Sequence, residues 1–168
     1  MIGQPDFIST APNRGGVPAA NTLDGAQTVS SNGTKLLICD YNNNRVLLFN
    51  SIPQSGDVSA DIVIGQPNFT STGSSTTQNS LDSPESAIIV NNRIIIADSG
   101  NNRILIYNSI PIANGANADI VLGQSDFTTS SNETTANGMN NPQGITYSGN
   151  KLFVLDFANN RCLIFEAN

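Results

Sequence analysis

Three carboxylates and three guanidinium groups recur in this chain at one fixed interval. Asp40-Tyr-Asn-Asn-Asn-Arg45, Asp98-Ser-Gly-Asn-Asn-Arg103 and Asp156-Phe-Ala-Asn-Asn-Arg161 stand 58 residues apart, twice over. A ring of carboxylates can hold a metal ion or a cationic ligand. An Asp ahead of a tight loop can instead accept hydrogen bonds from the loop's own amides, and Asn does likewise. A group present in every copy of a repeat serves a task every copy shares, so the structural reading is the stronger one. Asp40, Asp98 and Asp156 are expected to cap loops that also hold Asn44, Asn102 and Asn160. Arg45, Arg103 and Arg161 are fork-shaped donors suited to bridging those carboxylates or the loop carbonyls.

Little else in the chain could do chemistry. It has no His among 168 residues, which removes His-ligated metals and His-based triads. Carboxylates alone can act as acid and base, but Glu85 is the one acid near the start of a first strand. No enzyme activity, cofactor or metal site is expected. Cys39 and Cys162 fall at apolar strand positions without a CxxC spacing, and read as two buried free thiols.

Charge narrows the partners. Thirteen Asp and Glu stand against seven Lys and Arg, for a formal charge of −6. A phosphate-binding surface needs clustered cations. Three of the five Arg belong to the repeat, leaving Arg14, Lys35, Arg93 and Lys151. Nucleic acid is therefore not an expected partner. No apolar stretch is long enough to span a bilayer. The Ser-, Thr- and Asn-rich, Lys-poor composition suggests an extracellular or periplasmic setting. So do the glycosylation-type triplets at Asn32, Asn68 and Asn132.

The elements that must position these groups repeat as well. Gly3-Gln-Pro-Asp-Phe7 returns as Gly65-Gln-Pro-Asn-Phe69 and Gly123-Gln-Ser-Asp-Phe127. The first copy is four residues longer, within a Gly-, Pro- and Ala-rich loop over residues 8–22. Each unit reads as four short strands. In the second these are Glu85–Val90, Arg93–Asp98, Arg103–Ser109 and Ala118–Gln124, with Asn91-Asn92 as a two-residue hairpin turn. Ile94–Ile96 and Arg103–Tyr107 are nearly continuous apolar runs, as in sheets covered on both faces. Four-stranded sheets packed face to face around an axis make an all-β propeller.

The units resemble NHL repeats: an apolar strand ending in Asp, a loop with Asn-Asn-Arg, then a second apolar strand. Pro84 and Pro142 fit that pattern, and Ala26 departs from it. The resemblance covers almost the whole chain. It implies a propeller with blades over about 23–66, 81–124 and 139–168. NHL propellers serve as protein-binding, RNA-binding and enzymatic modules alike, so the resemblance carries fold rather than function. Such propellers most often have six blades, and three are present.

Three blades, each a slab about 10 Å thick, do not close a ring. Exposed apolar end faces of several hundred Å², at roughly 25 cal/mol per Å², leave several kcal/mol of burial unmet. A head-to-tail homodimer of six blades is expected, with a trimer or an open filament as alternatives. At the junction Ile2, Gly3 and Gln4 of one chain would lie beside Leu163 and Phe165 of the other. The expected function is a non-catalytic scaffold presenting a loop face to a protein or glycan. Tyr41 and Phe157 beside Arg14 are the candidate partner face, and Gln27, Glu85 and Gln143 a candidate axial channel. The alternatives are a structural self-assembling surface protein, or a half-propeller that is a fragment or a designed chain.

Overall fold

The computed structural model describes residues 1–166. Ala167 and Asn168, counted in the expected third unit, lie outside the described residues. Apolar, β-branched runs separated by Asn and Gly form three antiparallel sheets. β1 (Ala26–Ser31), β2 (Leu36–Asp40), β3 (Arg45–Phe49) and β4 (Ile62–Ile64) make the first, in that order. β5 (Pro84–Val90), β6 (Arg93–Asp98), β7 (Arg103–Tyr107) and β8 (Ile120–Leu122) make the second. β9 (Pro142–Ser148), β10 (Lys151–Asp156) and β11 (Arg161–Glu166) make the third, with three strands among the described residues. No helix of the described residues is long and apolar enough to cross a membrane.

Local chemistry sets these strands. Asn91 and Asn92 take φ 48° and 65°, the left-handed pair that a tight hairpin needs. Gly149 and Asn150 do the same in the third sheet at 55° and 62°. The fourth strands are shorter than the sequence suggests. Asp61 Oδ2 accepts from the Asn50 amide at 2.7 Å, and Asp119 Oδ2 from the Asn108 amide at 2.7 Å, so a carboxylate replaces the next ladder bond. Beyond the strand, Gly65 turns the chain at φ +89°, where an added Cβ would lie 2.5 Å from Leu81.

The sheets stack through both faces, as continuous apolar runs require. Leu37, Val46 and Leu48 of the first sheet pack on Ile94, Ile96 and Leu105 of the second. The second sheet's Ile95, Ala97 and Ile104 pack on Leu152 and Val154 of the third. The first strands run side by side, and hydroxyls tie them: Thr28 Oγ1 donates to the Glu85 carbonyl (3.0 Å) and Ser30 Oγ to that of Ala87 (2.6 Å). The outer face of the first sheet is partly covered by its own chain, with Ile2, Leu23 and Val58 over Ile38, Leu47, Phe49 and Val63.

Among the described residues, the outer face of the third sheet has no such cover. Leu155 and Ile164 are 54% and 56% exposed. Cys162 is exposed, contrary to the expectation of two buried thiols, while Cys39 is buried. Its counterparts Val46 and Ile104 are buried by the next sheet along. A strand position is apolar in sequence whether or not a neighbour lies against it.

Tyr107 fills the place that Phe49 and Phe165 hold in the other sheets. Its hydroxyl is buried without a hydrogen-bond partner among the described residues. Tyr107→Phe is therefore expected to raise stability by about 1 kcal/mol. The readout is a later urea midpoint at unchanged slope; an earlier midpoint would contradict the assignment.

Candidate functional site

The repeated Asp–Asn–Arg loop is built by strand register. Antiparallel pairing sets Asp40 across from Arg45, Asp98 across from Arg103 and Asp156 across from Arg161. Between them runs one 3-10 turn: Tyr41–Asn43, Ser99–Asn101 or Phe157–Asn159. Asn44, Asn102 and Asn160 end the turns in the left-handed region, at φ 51°, 54° and 52°. Asn tolerates that backbone better than other side-chain-bearing residues.

Each carboxylate accepts three hydrogen bonds from within the chain. Asp98 Oδ1 accepts from the Asp82 amide (2.7 Å), and Oδ2 accepts from Asn101 Nδ2 (2.9 Å) and Arg103 Nε (2.7 Å). Asp40 takes the same bonds from Asp24, Asn43 and Arg45, and Asp156 from Asn140, Asn159 and Arg161. The guanidinium fork spends its remaining donors on loop carbonyls. Arg103 Nη1 donates to Phe127 (2.6 Å) and Nη2 to Thr77 (2.8 Å) and Ser80 (3.1 Å). Arg45 repeats this on Phe69, Ala19 and Thr22.

The electrostatics follow from burial. Asp98 and Arg103 side chains are wholly inaccessible. Burial pushes the Asp98 carboxyl up to about 6, against the downward pull of Arg103, the Asp82 amide and Asn101. Burial raises Asp40 in the same way. Both Asp98 oxygens are inaccessible and each is hydrogen-bonded within the chain, so this cluster holds the loop together. The sequence reading included the second Asn of each pair but passed over Asn43, Asn101 and Asn159. Their presence in all three copies was the available signal.

The other expected site residues differ in exposure and in bonding. Phe157 is exposed and Tyr41 half-buried, while Ser99 at the same position is buried and donates to the Pro142 carbonyl. Arg14 was expected beside the two aromatics. Its guanidinium is committed to Asp57 (2.5 Å), Asn21 O (3.0 Å) and Gly3 O (3.4 Å), tying the inserted loop to the β3–β4 connection. Gln27, Glu85 and Gln143 sit at matching places on the neighbouring strands β1, β5 and β9. Gln27 is exposed, the other two half-buried, and partial burial raises the Glu85 carboxyl.

The junction residues lie on sheets at the two ends of the stack. Ile2 packs on the first sheet, Gly3 bridges to Thr22, and Gln4 donates to the Ala11 carbonyl. Leu163 and Phe165 pack toward the second sheet. Beside them opens a cleft of about 610 Å³ that no sequence feature announced. Ile106 and Ile120 of the second sheet and Tyr147, Leu152 and Phe165 of the third line it. No family model matches the chain, and no curated protein matches it.

Removing one partner of a buried ion pair leaves the other charge unmet. Asp98→Ala is expected to cost about 3–5 kcal/mol. Asp156→Ala should cost less, because the Arg161 side chain is 29% exposed and water can meet part of its charge. Chemical denaturation of the two variants checks the order; equal losses would contradict it.

Proposed function

We propose that this chain is a non-catalytic, NHL-like β-propeller scaffold whose blades are completed by head-to-tail association with a second copy. One observation carries this reading: positions buried between two sheets inside the chain have counterparts that lie exposed on its end faces. Leu48 is 0% exposed on the first sheet, and its counterpart Ile164 on the third is 56% exposed. Ala97 is 0% exposed and Leu155 is 54% exposed. At the other end Val29 is 65% exposed, whereas Ala87 in its place on the second sheet is 2% exposed. The two end faces are thus the two halves of the packing seen twice within the chain.

An apolar sheet face with an open β11 edge invites association. Pairing one copy's head with another's tail buries both faces with the same residue types that meet internally. Two copies give six blades, the number common among the repeats this sequence resembles. The Asp–Asn–Arg loops and the polar connections beside them then form one rim, with Phe157 exposed on it, as a surface for a protein or glycan.

Sedimentation at micromolar concentration should give twice the chain's 17.7 kDa. A larger, growing series would mean an open filament in place of a ring. A lone chain at every concentration would remove the proposal. The two thiols supply an independent footprint. Cys162 should react with a thiol reagent in dilute protein and become protected on association. Cys39, buried and with its thiol pushed up to about 12, should stay silent throughout. Ile164→Glu should abolish association while leaving the melting of the dilute chain unchanged.

A further inference from the structure

We propose that residues 2–10 of one copy form a polar clasp on the Asn160–Arg161 loop of the next, setting the register and polarity of association. This rests on the self-association proposed above and specifies its contacts. The template lies inside the chain. Ile2–Thr10 has two counterparts, Ile64–Thr72 and Leu122–Ser130. Each is locked onto the loop of its own sheet by the same three hydrogen bonds, and a fourth ties that loop to the amide just ahead of the next sheet.

At the first internal junction, Gln66 Nε2 donates to the Asn44 carbonyl (2.9 Å) and Asn44 Nδ2 to that of Thr72 (2.9 Å). The Ser83 amide donates to Asn44 Oδ1 (2.8 Å), and Arg45 Nη1 to the Phe69 carbonyl (2.5 Å). At the second, Gln124 Nε2 donates to the Asn102 carbonyl (2.9 Å) and Asn102 Nδ2 to that of Ser130 (2.9 Å). The Asn141 amide donates to Asn102 Oδ1 (2.7 Å), and Arg103 Nη1 to the Phe127 carbonyl (2.6 Å).

The third loop has the same residues and lacks the set. Asn160 is exposed, and its carboxamide makes no hydrogen bond among the described residues. Arg161 Nη1 turns to the Thr134 carbonyl at 3.1 Å. The matching halves sit unused at the other end. Gln4 Nε2 donates to Ala11 at 2.9 Å, as Gln66 does to Gly73 at 2.9 Å, but it has no loop carbonyl as second acceptor. Phe7 is 91% exposed, whereas its counterpart Phe127 packs against the core between two sheets.

Joining the ends supplies the third loop's missing bonds and a second acceptor for Gln4 Nε2. Gln4 of the second copy donates to the Asn160 carbonyl. Asn160 Nδ2 donates to that copy's Thr10 carbonyl and Oδ1 accepts from its Gly25 amide. Arg161 Nη1 donates to its Phe7 carbonyl, and the Phe7 ring covers the core between the second and third sheets. Burial of the end faces drives association, and these directional bonds select one register.

A sedimentation-equilibrium dilution series on Asn160→Ala and Phe7→Ala tests this. Both side chains are exposed in the lone chain, so melting of the dilute protein should match wild type. Each change should weaken association by about 10-fold or more. Asn102→Ala, the internal counterpart, should lower the melting temperature of the dilute chain. Association unaltered by either Asn160→Ala or Phe7→Ala overturns the clasp while self-association stands. A wild-type chain that never associates overturns both.

Discussion

A guanidinium buried at the end of a sheet must have its charge and its N–H donors met inside the protein. Arg45 and Arg103 do this with one carboxylate and three loop carbonyls each. Those carbonyls belong to the connections before and after the sheet. One side chain therefore ties a hairpin loop, the entry to its own sheet and the exit from it. The Asp, in turn, is fixed by a backbone amide of the entry segment and by an Asn within the turn. The polar cluster orders the loops that apolar stacking would leave free.

That arrangement makes each unit depend on the next. The Asn that ends the turn in the left-handed region also binds the following connection and the start of the following sheet. Apolar side chains on both faces of each sheet do the same by burial. A stack built this way has no natural outer surface. The first sheet covers part of its free face with the residues ahead of it, and the third leaves its free face in water. An open cleft also remains between the second and third sheets, with Ile106 and Ile120 on one wall and Tyr147, Leu152 and Phe165 on the other.

Much of this was legible in the residues. The 58-residue period placed the three sheets, and the Asn91-Asn92 turn and the continuous Ile runs placed strands and faces. Other features were not. Ala118–Gln124 reads as a seven-residue strand, yet Asp119 ends its ladder by bonding Asn108 through a side chain. Arg14 reads as a free surface cation because its partner Asp57 is 43 residues away and comes near only when β3 and β4 pair. Cys162 reads as buried because its counterparts are.

The amino-acid sequence by itself determined the unit: its length, its four-strand pattern, and the Asp, Asn and Arg that close its loop. These follow from local backbone preference and from a period that short-range physics reads directly. Only the tertiary structure decided which copies have their bonds completed. Asn44, Asn102 and Asn160 are the same residue in the same turn with nearly the same φ. They differ in what lies across from them, and proximity between segments far apart in the chain is set by how whole sheets stack.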